Sequence, residues 1–271
     1  MNALILVIIL AIVEGITEFL PVSSTGHMIL VNKLIGGEYL SPTFTNSFLI
    51  IIQLGAILSV VVYFWKDLTP FVGTKEKFVL RFRLWVKIIV GVIPAMVIGL
   101  FLDDIIDKYF MDNVTTIAIT LIAYGIIFIA IEVIYKIKNV KARVRSFSDL
   151  KYSTAFLIGF FQCLAMIPGT SRSGATIIGA LLLGLSRPLA AEFSFCLAIP
   201  TMFGATALKL LKNGLVFTKI EWSYLALGSA IAFVVAYIVI KWFMDFIKKR
   251  SFASFGLYRI ILGIIVLVLL R

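Results

Sequence analysis

The chain alternates long apolar runs with short polar segments. Six runs, 47–65, 85–102, 114–135, 189–211, 222–243 and 252–270, are each long enough to cross a bilayer as a helix, which takes about 17–25 residues. Two more, 153–167 and 175–185, are too short to cross comfortably. The polar segments carry a topology signal. Lys66, Lys75, Lys77, Arg81, Arg83 and Lys87 flank the connection after the first span, and Lys136, Lys138, Lys141, Arg143, Arg145 and Lys151 follow the third. Basic loops stay in the cytoplasm, so both belong on that face. Asp103, Asp104, Asp107 and Asp112, set against Lys108 alone, suit a solvated loop on the other face. Lys248, Lys249 and Arg250 return the chain to the cytoplasm before the last span, leaving Arg271 outside.

These assignments leave the chain cytoplasmic near Lys151 and again by Arg187, with only two short runs between. A re-entrant helical hairpin over about 153–185 satisfies both constraints, its P-G-T-S-R-S-G tip lying at membrane depth beside a polar cavity. At the other end, 3–20 could span alone but 27–35 could not, so a full crossing and a hairpin over about 3–36 both fit the charges. A weak repeat favours the hairpin: Pro21 and Pro168, Ser24 and Ser171, Leu34 and Leu181, Gly37 and Gly184, and Phe48 and Phe195 all lie 147 residues apart. Each half then reads as a hairpin plus three spans. Because three is odd, the halves are inverted, an arrangement that brings polar hairpin tips together near the midplane. The expected fold is an all-α polytopic integral membrane protein with an inverted-topology repeat. Its first repeat covers 1–135, a cytoplasmic linker 136–151 and its second repeat 152–271.

Composition agrees. Apolar residues make up 61% of 271 positions and charged residues 14%, with mean hydropathy +1.09. A soluble domain carries about 25% charged residues. The net charge of +11 sits in short loops, so it reports topology rather than a nucleic-acid groove. The N-terminal stretch lacks a basic n-region and a small-residue cleavage site before Glu14, unlike a removable signal peptide. Cys163 and Cys196 lie in apolar runs and read as small hydrophobes.

Two polar interruptions carry the candidate chemistry. Residues 14–27, E-G-I-T-E-F-L-P-V-S-S-T-G-H, place two carboxylates and the chain's only histidine inside an apolar stretch. Ionisable groups there cost about 2.5–3.5 kcal/mol each, which points to function. Glu14 and Glu18, four apart, share a helix face where bare carboxylates repel, so a divalent cation, a shared proton or a nearby cation must offset them. Pro21 ends the helix, and Ser23, Ser24, Thr25 and Gly26 offer hydroxyls and backbone N–H groups. His27, three residues after Ser24, is a candidate acid or base. The second interruption, residues 168–174, contributes Arg172, whose planar fork suits phosphate oxygens, with Thr170, Ser171, Ser173 and Gly174 around it. Helix N-termini near His27 and Ser173 would add anion-binding N–H groups. The hydroxyls could instead bond backbone carbonyls. Glu192 reads as a helix-dipole partner or an ion pair with Arg187, and Gln53, Pro94 and Pro200 as packing or kink positions.

Both motifs together resemble the bacterial undecaprenyl-pyrophosphate phosphatases of the bacitracin-resistance type, and S-F-L-I-I-I-Q-L-G-A-I-L at 47–58 and A-E-F-S-F at 191–195 extend the resemblance over nearly the whole chain. The resemblance implies hydrolysis of a C55 lipid pyrophosphate to the monophosphate and phosphate with a divalent cation, Mg²⁺ or Ca²⁺, recycling the carrier for cell-wall synthesis. It maps function onto Glu14, Glu18, Ser24, His27 and Arg172, with Glu14 and Glu18 as metal ligands. Ser24, His27 and water all stay open as the nucleophile. The expected partners are the polyprenyl pyrophosphate and membrane lipids, a homodimer being left open. The expected location is the bacterial inner membrane, with the site opening to the extracytoplasmic side. An ion-coupled transporter or lipid flippase for an anionic substrate is the alternative, because it would use the same inverted architecture.

Overall fold

The computed structural model describes residues 3–35, 40–71, 73–109, 113–213 and 217–270. Gly37, Asp112 and Arg271, named above, lie outside them. All named elements are helical: α1 Ala3–Thr17, α2 Ser24–Ile35, α3 Pro42–Tyr63, α4 Trp65–Leu68, α5 Lys75–Tyr109, α6 Val114–Ile137, α7 Tyr152–Cys163, α8 Arg172–Leu182, α9 Arg187–Asn213, α10 Lys219–Lys249 and α11 Ala253–Leu270. Among the described residues five helices, within α3, α5, α6, α9 and α10, are long and apolar enough to cross a membrane. The sixth expected span, 252–270, is the shorter helix α11, delayed by the polar break at Lys249–Ser251.

The N-terminal segment folds as two short packed helices. Helices α1 and α2 have 15 and 12 residues, so at about 1.5 Å per residue neither covers a hydrocarbon core of roughly 30 Å. They pack on each other across the turn at 18–22. The second hairpin pairs α7 with α8 through a short 3₁₀ turn at Leu164–Met166 and the P-G-T-S segment.

Two expectations about loops change. Helix α5 has 35 residues and already contains the basic segment 75–83 and Asp103, Asp104 and Asp107. These aspartates therefore lie on a helix rather than in a loop, since none of them breaks a helix. Helix α6 is capped by Asn113, whose side chain accepts from Thr116 N.

Helix pairings cross the middle of the chain throughout. Helix α6 packs on α11, α3 and α1 on α10, α5 on α7, and α9 on both α3 and α5. Residues 1–135 and 152–271 therefore interleave around one core, in which Phe19, Phe48, Phe193, Phe195 and Phe243 are fully buried. Without a strong hydrophobic drive between helices in lipid, close backbone approach matters. Gly125 and Gly256 face one another at the α6–α11 crossing, where a Cβ on either would lie 2.6–2.7 Å from the other's carbonyl oxygen.

Arg187 pairs with Glu132 rather than with Glu192: its Nε donates to Glu132 Oε1 at 2.8 Å and its Nη2 to Oε2. Glu132 Oε1 also accepts from Phe252 N at 3.0 Å. One buried carboxylate thus ties α6, α9 and the start of α11. Glu192 lies on the same helix as Arg187, but the pairing is settled by which helix faces the guanidinium.

Candidate active site

The two hairpin turns meet. Both hairpins end their first helix early and begin the second on a serine with positive φ: Ser23 and Ser171 each have φ 72°. Non-glycine residues are uncommon in this region. Each serine side chain accepts from the backbone N–H three residues on, Gly26 N to Ser23 Oγ at 3.3 Å and Gly174 N to Ser171 Oγ at 3.1 Å. Ser171 therefore matches Ser23, one position off the 147-residue spacing that paired it with Ser24. In both hairpins the cap exposes the first N–H groups of α2 and α8 toward the turns.

Glu18, in the first turn, connects the motifs. Its Oε2 accepts from Ser24 Oγ at 2.7 Å, and its Oε1 accepts from Arg172 Nη2 at 3.2 Å. Arg172 Nη1 also donates to the Ser194 carbonyl at 3.0 Å, which aims the guanidinium across the site from α8. Ser173 Oγ lies 3.3 and 3.1 Å from the carbonyl oxygens of Glu18 and Leu20, a direct tie between the turns. Glu14, one helical turn below Glu18, is 1% exposed. Its Oε1 and the Nε of Arg172 are both buried without a hydrogen-bond partner among the described residues. Unpaired buried polar atoms are costly and rare, so both groups are candidates for binding something other than the chain's own residues.

His27 stands slightly apart. Its Nδ1 lies 2.7 Å from the Ser23 carbonyl and its Nε2 2.7 Å from the Tyr258 hydroxyl. It is not hydrogen-bonded to Ser24, whose hydroxyl goes to Glu18. Among the other candidates, Ser23 and Ser171 serve as caps, Gly26 and Gly174 supply the capped N–H groups, Thr170 is fully buried and Thr25 is exposed.

One residue that motif reading passed over completes the arrangement. Arg259, on α11, is 0% exposed. Its Nη1 donates to Pro21 O at 3.1 Å, and its Nη2 to Gly169 O at 2.8 Å and Thr170 O at 3.0 Å. Its Nε reaches Leu121 O at 3.4 Å, and the guanidinium lies over the Tyr124 ring. A single cation thus holds carbonyls from both turns. Gly169, with φ 86°, is required there, because a Cβ would run into Thr120 and Ile117. Thr120 Oγ1 in turn donates to Pro168 O at 2.8 Å.

The fold and site define a class: an all-helical membrane protein whose interlocked hairpin turns hold buried carboxylates opposite an arginine and two helix N-termini, a setting for an anionic group. Residues 7–265 match the family described as bacitracin resistance protein BacA. Curated relatives include the undecaprenyl-diphosphatase of Fusobacterium nucleatum, 86% identical over 98% of this chain and 100% of its own length. Undecaprenyl-diphosphatase 1 of Clostridioides difficile is 56% identical over 96% of this chain and 93% of its own. The undecaprenyl-diphosphatase of Enterococcus faecalis is 51% identical over 97% and 95%. The chain belongs to the bacitracin resistance protein BacA family.

Proposed function

We propose that the site between the two turns is where this chain hydrolyses undecaprenyl diphosphate to undecaprenyl phosphate and phosphate. The observation that carries this reading is the Glu18–Arg172 contact at 3.2 Å with buried, unpartnered Arg172 Nε beside it. Phosphoryl transfer asks chiefly for positioning and charge neutralisation. Arg172 holds the terminal phosphate through its fork, helped by the first N–H groups of α8. Ser24, bonded to Glu18, or a water in its place, attacks the terminal phosphorus while Glu18 accepts the proton. The P–O bond to the bridging oxygen breaks and undecaprenyl phosphate leaves; where Ser24 attacks, water then hydrolyses the phosphoserine to release phosphate. His27 supplies further acid–base capacity at the edge of the site, and Thr25 and Thr170 line the phosphate region.

The carboxylates fit a divalent cation, Mg²⁺ or Ca²⁺. Both ions prefer oxygen ligands, and Glu14 Oε1 is a buried oxygen without a protein partner. Glu14 and Glu18 would hold it; among the described residues they are not joined by a third His, Cys, Asp or Glu. When bound it supplies charge neutralisation at the pyrophosphate. Purified protein in detergent, with no ion gradient, should release phosphate from undecaprenyl diphosphate, lose that activity in excess chelator and regain it with Mg²⁺ or Ca²⁺. Absence of phosphate release would favour a transporter. Full activity in chelator would remove the cation.

The halves form an inverted repeat, 1–135 and 152–271 joined by a cytoplasmic linker at 136–151, with the hairpins re-entrant. Exchange of equivalent helices supports this: α1 packs on α10 as α7 does on α5, and α3 on α10 as α9 does on α5. The matching serine caps add to it. The protein resides in the bacterial cell membrane with its site open to the extracytoplasmic face, opposite the basic segments. Thr25 and Arg143 are both exposed, so cysteines there compare fairly. An impermeant thiol reagent should label Thr25→Cys and spare Arg143→Cys in intact cells. The reverse pattern would refute the orientation.

A further inference from the structure

We propose that Tyr258 is the positioning residue for His27, holding the imidazole in one orientation through both of its protonation states. This rests on the reading of His27 as an acid–base group of the site. Nδ1 of His27 lies 2.7 Å from the Ser23 carbonyl oxygen, which can only accept, so Nδ1 carries the proton. In neutral imidazole Nε2 is then the acceptor, and the Tyr258 hydroxyl at 2.7 Å donates to it. In the imidazolium, Nε2 donates instead and the same hydroxyl accepts. A hydroxyl can reverse its role where an amide or ammonium donor cannot. The hydrogen bond therefore survives a proton cycle at His27.

Geometry restricts the ring further. The imidazole and phenol are parallel, with centroids 5.6 Å apart and an interplanar angle of 4°. Both ring nitrogens and one ring face are thereby fixed. Sequence proximity suggested Ser24 as the partner of His27, but Ser24 is committed to Glu18. The actual partner comes from α11, 231 residues away. Tyr258 is itself held in place, because the next residue is Arg259, clamped to the carbonyls of Pro21, Gly169 and Thr170. Arg259 on α11 is a charged neighbour of His27, and its guanidinium lies over the ring of Tyr124 on α6. α11 thus braces the site twice in succession, first the imidazole and then the turns.

Two measurements test this. The chain has one histidine, so ¹⁵N-histidine labelling gives a single imidazole signature. Neutral His27 should show a protonated Nδ1 and a bare Nε2, and Tyr258→Phe should shift the Nε2 resonance by removing its hydrogen bond while Ser23 keeps the proton on Nδ1. A protonated Nε2 in the wild-type protein would overturn the proposal. Kinetically, Tyr258→Phe keeps the ring and removes only the hydroxyl of a residue that is 46% exposed, so the fold should be retained. We expect kcat to fall roughly tenfold with KM little changed, and the substitution to have no further effect in a His27→Ala background. Wild-type kcat in Tyr258→Phe, or an equal fall with and without His27, would overturn it. Wild-type turnover in His27→Ala would instead remove His27 from the reaction, and the role of Tyr258 with it.

Discussion

Arg172→Lys should leave a folded protein with kcat/KM lowered roughly 30- to 900-fold, about 2–4 kcal/mol, the scale for losing one oriented transition-state donor. The charge survives this change, but the fork does not. Arg172 now splits its nitrogens between Glu18 Oε1, the Ser194 carbonyl and an unpartnered Nε. An ammonium could satisfy one of these directions at a time. Folding should persist because Ser173 and Arg259 tie the turns independently of Arg172. The check is phosphate release alongside size-exclusion elution in detergent. Near wild-type turnover in the folded lysine variant would remove Arg172 from phosphate binding.

Arg259→Met should be the most damaging change outside the polar motifs. It strips charged donors from Pro21, Gly169 and Thr170, and a buried carbonyl left without its donor costs about 1–3 kcal/mol. A thermal midpoint in detergent lower by at least roughly 6 °C is expected, from three carbonyls at about 1 kcal/mol or more each and about 2–4 °C per kcal/mol for a chain of this size. Activity should fall even at temperatures where the variant stays folded, because the two turns no longer share an anchor. An unchanged midpoint with unchanged turnover would mean that the remaining contacts hold the turns without Arg259.

The difference between Arg172 and Arg259 explains what could be read from the chain in advance. Glu14, Glu18, Ser24 and Arg172 stand out because each interrupts an apolar run next to a helix breaker, and burial of charge has a cost visible in one dimension. The long helices were legible for the same reason. Arg259 and Glu132 also lie inside apolar runs, 252–270 and 114–135, and that signal was available. Their importance was hidden because neither sits in a motif, and their partners, Gly169 in the second turn and Arg187 on α9, come from distant parts of the chain. Sequence gives the cost of burying a charge but not which helix faces it. The pairing of His27 with Tyr258 was illegible on the same grounds, with Ser24 the nearer residue in the chain. Helix ends were harder to place. Helix α5 continues through Lys75–Arg83 and Asp103–Asp107, because a helix that leaves lipid need not stop where its side chains become charged.

The central claim is that Glu18 from the first hairpin and Arg172 from the second act as one unit. A double-mutant cycle on phosphate release tests it most directly, using Glu18→Gln, Arg172→Lys and the combination, each verified as folded. Residues that act together give strongly non-additive losses. The Glu18–Arg172 contact at 3.2 Å predicts a double variant little worse than the more damaged single one. Losses that multiply would contradict the claim, since they would mean that the two hairpins contribute to the reaction independently.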